Sequence, residues 1–521
     1  MNGKPGVVAA VVAALVFLYA AGVNAQILKR PEAQPYRTAP VEEEAYDEAH
    51  EAPEMSEEAQ PVEFDASLFR SDPTYEETGY DPEAQFQIYG GKTAVDGPRP
   101  LLEIGRDLYS EGPLGEGKKV FLGGKNRLFP QFLVYGDARG AIAYNDNGAT
   151  ELGQAAVRLN LDLDLKLTST ERIHAFIRPL DKNNQFTRHE FSGDGDDSEL
   201  LLDANLETLF FEGDLGSLSA GFKDEYVSYD LPFAFGFLPL LFQNGVWMED
   251  AFIGGALTIP AQNSPTLDIS NMDFTFFAGF DKVTSDALVR NGARDDGIGN
   301  VFGVAAFIET LEGYMEAGYG YVDDTSDADF SYHNVTVAFT RRYRDILSNS
   351  VRLIANLGQD PAGGAEKTAE GAILLVENSL ITHKPLTLIP YANFWIGFDQ
   401  PQSLARAGGA GGVLRNTGLN FETDGLTGFP KLDDTGHETF GGAIGVEYLF
   451  NLDQQIVVEF ATVQTRGDEA KRNAAGDQYA LGMRYQLPLT DRWILRADAM
   501  YGLLDNEDDI AGVRVEIRRK F

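Results

Sequence analysis

The segment from Val157 to Leu167 alternates strictly between two kinds of side chain. Its odd positions are apolar, with leucine at every second residue from Leu159 onwards, and its even positions are polar or charged. A β-strand points successive side chains to opposite faces, so this segment has one face for an apolar phase and one for water. Strands of soluble sandwiches also alternate, but a strand of ~9–11 residues is long enough to cross a bilayer. The pattern therefore predicts a membrane-spanning strand.

The same period of two recurs from Phe129 to the end of the chain. It predicts about eighteen strands, and an even number is what a closed single-chain barrel requires. The fold class that follows is all-β, a transmembrane antiparallel up-and-down β-barrel over residues 129–521. The predicted strands are 129–145, 152–168, 170–181, 199–213, 215–228, 247–260, 270–282, 299–310, 312–323, 329–342, 348–359, 369–381, 386–399, 437–451, 453–466, 475–489, 491–503 and 510–521.

The connections between these predicted strands tend to alternate in length. Short ones include 168–171, 310–313 and 488–491, whereas long ones include 229–246 and 400–436. Outer-membrane barrels have short periplasmic turns and long external loops. The alternation therefore places both ends of the chain on the periplasmic side, although the connection at 261–269 is longer than a tight turn should be.

The chain begins with the layout of a secretory signal peptide. Lys4 precedes an apolar run from Val7 to Ala21, and Val23-Asn24-Ala25 has the small residues of a cleavage site. A membrane anchor is the alternative, but the run is shorter than the ~20 residues of a spanning helix. We predict that residues 1–25 are a signal peptide. The sequence contains no cysteine, which excludes disulfides, c-type haem attachment and thiolate metal sites.

Residues 26–90 form an acidic segment rich in Glu, Pro and Ala, which predicts a disordered tether. It is interpreted as a solvated spacer or as a docking tail for a cationic periplasmic partner. Residues 91–128 are less charged and are predicted to plug or brace the barrel, with a short amphipathic helix at 99–109. Across the chain, 80 acidic residues stand against 42 basic ones, a formal net charge of −38. This balance argues against nucleic acid as a partner, since phosphate would be repelled.

If the leucines face lipid, the residues between them face the lumen. So many charges of both signs imply a wet or ion-paired interior, because unpaired buried charges are costly. A barrel of about eighteen strands is also too wide for side chains alone to fill. The predicted pore-lining residues are Arg158, Asp162, Asp164, Lys166, Arg172, Arg178, Asp203, Glu207, Glu316, Glu447, Glu459, Arg484, Arg496, Asp498, Arg514, Glu516 and Arg518.

The connection at 230–247 is strongly apolar for a loop. One interpretation is a constriction loop folded into the lumen, formed by Phe233, Phe235, Phe237, Leu240 and Phe242. The alternatives are a strand extension or an oligomer contact.

No catalytic motif is present: the sequence has neither Gly-x-Ser-x-Gly nor His-Glu-x-x-His. The acidic loops at 192–199 and 505–509 offer oxygen ligands for Ca²⁺ without EF-hand spacing, and solvated loops are the better interpretation. We therefore predict no enzymatic activity, no cofactor and no metal site.

The last strand, Val513 to Phe521, has apolar residues at odd positions through Ile517, charges at even positions and a terminal aromatic. It resembles the closing strand of bacterial outer-membrane barrels, in which the terminal aromatic, here Phe521, is an assembly signal. Arg519 departs from this pattern, because it occupies an outward position that is usually apolar. The chain from Phe129 onwards is similar in architecture to large porins and alginate-export barrels, although acidic residues are as common as basic ones in its predicted lumen.

The resemblance implies a passive outer-membrane channel for small hydrophilic solutes. The alternatives are a sheath or export conduit around a partner protein or polymer, and an adhesin that acts through external loops. The implied partners are outer-membrane lipid and the barrel-assembly machinery. A homo-oligomer and a periplasmic partner for the tether stay open.

Overall fold

The computed structural model describes residues 98–105, 117–120, 122–182, 185–192, 197–204, 206–290, 293–294, 299–450 and 454–521. The predicted signal peptide and acidic tether lie outside the described residues. Within them, eighteen strands form the wall of the barrel, and one segment is α-helical. The strands are β1 Gln131–Asp146, β2 Glu151–Lys166, β3 Arg172–Ile177, β4 Leu206–Asp214, β5 Pro232–Phe242, β6 Met248–Ser264, β7 Ile269–Asp281, β8 Gly299–Thr310, β9 Gly313–Asp324, β10 Tyr332–Tyr343, β11 Leu347–Leu357, β12 Glu370–Leu380, β13 Leu388–Gln400, β14 Thr439–Phe450, β15 Gln454–Thr465, β16 Gln478–Pro488, β17 Trp493–Leu504 and β18 Ile510–Lys520.

Each strand pairs antiparallel with its neighbour in sequence, and β18 pairs with β1 to close the sheet. Arg514 lies opposite Ala143, and Val515 lies opposite Ile142. The pairing continues to the last residue, since the Phe521 amide donates to the Gly136 carbonyl at 3.1 Å and the Gly136 amide donates back at 2.9 Å. The predicted antiparallel barrel of about eighteen strands is confirmed.

One of the predicted strands is absent from the structure. A different segment supplies the fifth strand of the barrel, so the number of strands is still eighteen. Residues 215–228 do not form a strand, because Leu215–Lys223 is an α-helix, α1. Asp214 caps this helix by accepting the Ser217 amide at 2.6 Å, and the helix ends at Asp224 in the left-handed conformation. The fifth strand is the apolar run β5, which pairs with β4 and β6.

The connections are sorted between the two ends of the barrel. The end that carries Phe521 has the turns at 167–171, 265–268, 311–312, 344–346, 381–387 and 489–492, together with the helical connection at 215–231. The opposite end has the longer segments 178–205, 282–298, 358–369, 401–438 and 466–477. The doubtful connection at 261–269 is a short turn, because β6 continues to Ser264 and β7 begins at Ile269. Short turns mark the periplasmic end.

Two segments that precede β1 in the sequence lie against the periplasmic end of the barrel. Leu102–Ile104 is extended and pairs with Phe132–Val134, so the predicted helix at 99–109 is wrong at these residues. The hairpin of Lys118–Val120 and Gly123–Leu128 contacts α1 closely: a Cβ on Gly221 would lie 2.0 Å from the Leu122 carbonyl oxygen.

The outer surface of the barrel is apolar. On the face opposite to the charged residues, Leu481 is 59% exposed and Phe460 is 49% exposed. Lipid is the environment in which such a belt on a closed sheet is stable. Arg519 also faces outwards, with its guanidinium 5.6 Å from the centre of the Trp493 ring near the periplasmic end. Among the described residues no helix has the length and apolarity to cross a membrane.

Candidate functional site: a loop folded into the lumen

The connection between β13 and β14, residues 401–438, folds into the barrel and is called the lumen loop below. On one side of the barrel, its Ala405–Arg406 segment pairs in parallel with Met248–Glu249 of β6. On the far side, Asp424 forms an ion pair with Arg514 of β18 at 2.5 Å. The loop therefore crosses the lumen from wall to wall.

Apolar side chains of the lumen loop fill part of the barrel interior. Leu404, Leu414, Phe421 and Leu432 are almost fully buried, and the Phe421 ring packs edge-on against Trp395 of β13 at 5.0 Å between ring centres. Side chains buried in this way hold the loop by the hydrophobic effect as well as by polar contacts.

The tip of the β5–β6 hairpin bends inward to meet the loop. Trp247 is completely buried and donates from its indole nitrogen to Asn334 of β10 at 2.8 Å. The Gly245 carbonyl accepts from Arg406 at 2.5 Å, and the Asn244 carbonyl accepts from Asn416 at 2.6 Å. Hairpin tip and lumen loop together obstruct the lumen.

An ionic network lies on β16, β17 and β18, below the lumen loop. The buried carboxylate of Asp498 accepts from Arg484 at 2.7 Å, from Arg496 at 2.9 Å and from Arg514 at 2.7 Å. Three guanidinium groups around one carboxylate leave an excess of positive charge, and charge of this kind needs further partners when it is buried.

The lumen loop supplies those partners. Glu422 lies 2.6 Å from Arg484 and 3.4 Å from Arg496, and Asp424 binds Arg514. Burial alone would raise the pKa of Asp424, but the positive charge of Arg514 and hydrogen bonds from Arg514 and Thr427 together lower it below its usual range. The two acidic residues therefore clamp the loop to this wall.

A second acidic group on the barrel wall binds the loop backbone. The buried Glu459 of β15 accepts from the amides of Leu419 at 2.7 Å and Asn420 at 2.8 Å, and from the Tyr391 hydroxyl at 2.5 Å. A carboxylate that receives several hydrogen bonds is well satisfied in a buried position.

Two buried titratable groups of the lumen loop have shifted pKa values. Burial raises the pKa of Asp433 to about 6, although the Thr435 hydroxyl and the Thr435 amide donate to it. Burial also lowers the pKa of His437 to about 4. The fold favours the uncharged form of both groups.

Two cavities lie along the lumen, separated by the lumen loop and the hairpin tip. One, of about 520 Å³, is bounded by loop residues that include Arg406, Lys431 and His437. The cations here are paired, because Lys431 binds Asp434 and Arg406 lies 3.5 Å from Glu249. The other, of about 380 Å³, lies against β8 to β12 beside Asn244. Both have polar side chains on their walls.

Strand register places most of the predicted pore-lining residues on one face of the sheet. That face also carries Glu459 and Arg514, whose partners belong to the lumen loop. Its predicted members are Arg158, Asp162, Asp164, Lys166, Arg172, Glu316, Glu447, Glu459, Arg484, Arg496, Asp498, Arg514, Glu516 and Arg518.

Three further predicted residues lie near the external end. Arg178 follows β3 and forms ion pairs with Asp181 at 3.0 Å and Glu207 of β4 at 2.5 Å. Asp203 lies outside the strands, and its amide donates to the Pro179 carbonyl at 3.2 Å. These residues belong to a polar cluster between the ends of β3 and β4.

The predicted constriction loop is wrong, because its residues belong to strand β5. Phe233, Phe235 and Phe237 are on the lipid-facing side, where the stacked rings of Phe233 and Phe235 are 6.1 Å apart. Leu240 and Phe242 point inward, and the ring centres of Phe242 and Trp247 are 5.7 Å apart. The strand extension left open by the sequence is the correct alternative. Both faces are apolar because the inward face packs against the luminal core.

Sequence reasoning assigned the segment that does obstruct the lumen, residues 401–438, to the outside. Two signals were available: it is the longest predicted connection, and it carries large apolar residues such as Phe421 that a solvated loop has no need for. Among the described residues, no group of three or more His, Cys, Asp or Glu side chains is arranged to hold a metal ion.

Comparisons with known proteins give structural resemblances only. No family model matches the chain, and no curated protein matches it. Among solved structures, it is similar to Pseudomonas aeruginosa OccK1 (OpdK), with 11% identity, a TM-score of 0.49, and coverage of 75% of this chain and 98% of that one. It is also similar to P. aeruginosa OccK5 (OpdH), with 10% identity, a TM-score of 0.48, and coverage of 75% and 98%. A third similar structure is Acinetobacter baumannii OccAB4, with 11% identity, a TM-score of 0.46, and coverage of 75% of this chain and 97% of that one.

Because these scores are low, the class of the protein is defined by its own geometry. It is a closed transmembrane barrel of eighteen described strands with a lipid-facing apolar surface, a polar lumen and short turns at the end that carries the C-terminus. This is the porin-like architecture of the bacterial outer membrane.

Proposed function

We propose that the protein is a channel through which small hydrophilic solutes diffuse passively across the outer membrane. The observation that carries this proposal is the lumen loop. It narrows a wide barrel but does not fill the lumen completely, since a cavity with polar side chains on its wall lies on each side of the loop. An inward loop that leaves polar space beside it is the arrangement that limits solute size in a diffusion channel.

The residues proposed to line the solute path are those inward-facing residues of the barrel wall named above that the lumen loop does not cover. The ionic network of Arg484, Arg496, Asp498 and Arg514 has the role of holding the loop at the constriction. We assign the protein no catalytic activity. We also propose that Phe521 is read by the barrel-assembly machinery, in line with its place at the end of the closing strand.

A sheath around a partner protein or polymer is less well supported. The space that an enclosed partner would need is occupied by the lumen loop, whose residues Leu404, Leu414 and Phe421 are buried inside the barrel. No contact of the described external segments favours an adhesin.

Planar-bilayer recording on the purified protein tests the proposal. We expect stepwise conductance increments in potassium chloride. A matched measurement on liposomes should show uptake of small sugars and exclusion of polymers. A folded, heat-modifiable barrel that gives no conductance steps and no solute uptake would overturn the proposed function.

A further inference from the structure

The cavity on the periplasmic side of the hairpin tip has the composition of a ligand site. It measures about 380 Å³ and is bounded by β8 to β12 and by Asn244. Binding pockets for small molecules start at roughly 300 Å³. The cavity is thus large enough for one or two sugar rings but not for a folded partner.

A buried cation at the wall of this cavity is poorly satisfied. The Arg352 side chain is only 3% exposed, and the one ion pair that it forms with the described residues, to Glu377, has a long distance of 3.5 Å. Its Nε and Nη1 atoms make no hydrogen bond to the described residues. A buried guanidinium with unused donors is costly, and because these two atoms have almost no accessible surface, a ligand would reach them only through a shift of the Arg352 side chain towards the cavity.

The charges around Arg352 determine which ligands are tolerated. Glu316 and Glu377 both line the cavity with it, so the three groups together carry one negative charge. A ligand carboxylate or phosphate would face two carboxylates for one guanidinium. A ligand amine would face a cation already placed between the acids. A neutral polar ligand meets neither repulsion.

The rest of the cavity wall offers neutral hydrogen-bonding groups. Thr340 of β10 and Ser350 of β11 are on the inward face and are linked through their hydroxyls at 2.9 Å. A hydroxyl can both donate and accept. Such groups match the hydroxyls of a sugar, each of which also donates and accepts.

Two aromatic rings complete the cavity. Phe307 of β8 and Tyr314 of β9 both point into the lumen, and their ring centres are 5.3 Å apart with an angle of 32° between the planes. Their faces offer apolar surface next to the polar groups. The C–H face of a pyranose ring is the kind of surface that packs against them.

We propose that this cavity is a binding site for a neutral saccharide of one or two rings, placed in the solute path just inside the constriction. The proposal rests on the proposed channel function and names the solute class of that channel. The Thr340 and Ser350 hydroxyls would bind ring hydroxyls, and Phe307 and Tyr314 would pack against the ring.

Block of the ion current by three probes of similar size but different charge tests the proposal. Glucose is neutral, glucuronate is anionic and glucosamine is cationic. In single-channel recordings with the full-length protein, glucose should reduce the current in a saturable way at a lower concentration than either charged probe. Strongest block by glucuronate would overturn the proposal in favour of an anion site at Arg352. Strongest block by glucosamine would overturn it in favour of an amine site at the carboxylates.

Variants with matched controls locate the block. Phe307→Ala should raise the half-blocking glucose concentration by about tenfold, the scale of losing a buried ring contact. Phe302→Ala, on the lipid-facing side of the same strand, should leave it unchanged. Channels that conduct but show no saturable block by glucose, or equal block in both variants, would overturn the saccharide site alone. Absence of conductance would instead contradict the channel function.

Discussion

Two walls of the same lumen carry buried arginines in different surroundings. On β16 to β18, Arg514 is held by Asp498 at 2.7 Å and by Asp424 of the lumen loop at 2.5 Å. On β11, Arg352 has one carboxylate at 3.5 Å and faces a cavity. Strand geometry is the same on both walls. The difference is that the lumen loop brings its acidic residues to one wall only.

This difference distinguishes the wall that anchors the lumen loop from the wall that is proposed to bind a solute. Where the loop supplies the counter-charge, the wall is closed and the arginines have no free capacity for a solute. Where it does not, hydrogen-bonding capacity is left over beside open space. Charge count along the strands therefore does not reveal which wall a solute contacts, because the loop decides which charges are used.

The largest expected effect comes from Arg514→Met. The substitution leaves Asp424 and part of Asp498 without a cation inside the barrel, and breaking such a buried pair typically costs about 3–5 kcal/mol. We expect a loss near the lower end of that range, because Arg484 and Arg496 still bind Asp498. Urea unfolding in detergent measures the loss, and single-channel conductance should rise as the loop detaches.

Arg352→Met is the matched substitution on the other wall. Arg352 forms one long ion pair with the described residues, and the carboxylates that its removal leaves without a cation, Glu316 and Glu377, border a polar cavity in which water can solvate them. We expect a change in the free energy of unfolding of at most about 1 kcal/mol. Equal destabilisation by the two substitutions would show that the walls do not differ in the way described.

A smaller effect concerns pH and the lumen loop. The pKa of Asp433 in the folded protein, about 6, is above its ordinary value, so ionising it costs stability as the pH rises from about 4 to 6. From the size of this shift, Asp433→Asn should gain roughly 2–3 kcal/mol over the native protein at pH 7 and lose this advantage below pH 4. Thermal unfolding followed at pH 4, 5, 6 and 7 gives the comparison.

His437 should show the opposite trend in the same loop. Its pKa in the folded protein, about 4, is below the ordinary value, so stability is present above about pH 6.5 and is lost as the pH falls towards 4. His437→Gln should therefore lose less stability on acidification than the native protein. Parallel pH profiles for the two variants would contradict the assignment of these shifts to burial within the loop.

The sequence allowed the barrel wall to be predicted because lipid acts on every strand in the same way. Strands such as β2 and β16 expose one face to lipid and one to polar surroundings, and a period of two results. β5 did not follow this rule, since its inward residue Leu238 packs in the luminal core and both faces are apolar. The neighbouring α1 was predicted as a strand because its Leu and Phe residues are compatible with either pattern over so few residues.

The lumen loop could not be predicted in the same way. Its position depends on contacts between residues far apart in the sequence, such as Asp424 with Arg514 and Glu459 with Asn420. No local period encodes such pairs. The predicted set included the inward-facing Arg484, Arg496 and Arg514 but omitted Arg352. Whether each arginine is anchored depends on acidic residues of a segment that sequence reasoning assigned to the outside.

The smallest expected effect comes from Glu422→Gln, which weakens the loop anchor without emptying a buried site. The Glu422 side chain is 39% exposed, so its ion pairs with Arg484 and Arg496 are screened by water. We expect a loss of less than about 1 kcal/mol in the free energy of unfolding. The loop should nevertheless fluctuate more, which would appear as added noise in the open-channel current. Glu312→Gln is the control, because Glu312 pairs with Arg341 in a periplasmic turn away from the loop. Added noise in both variants, or in neither, would mean that Glu422 does not restrain the loop.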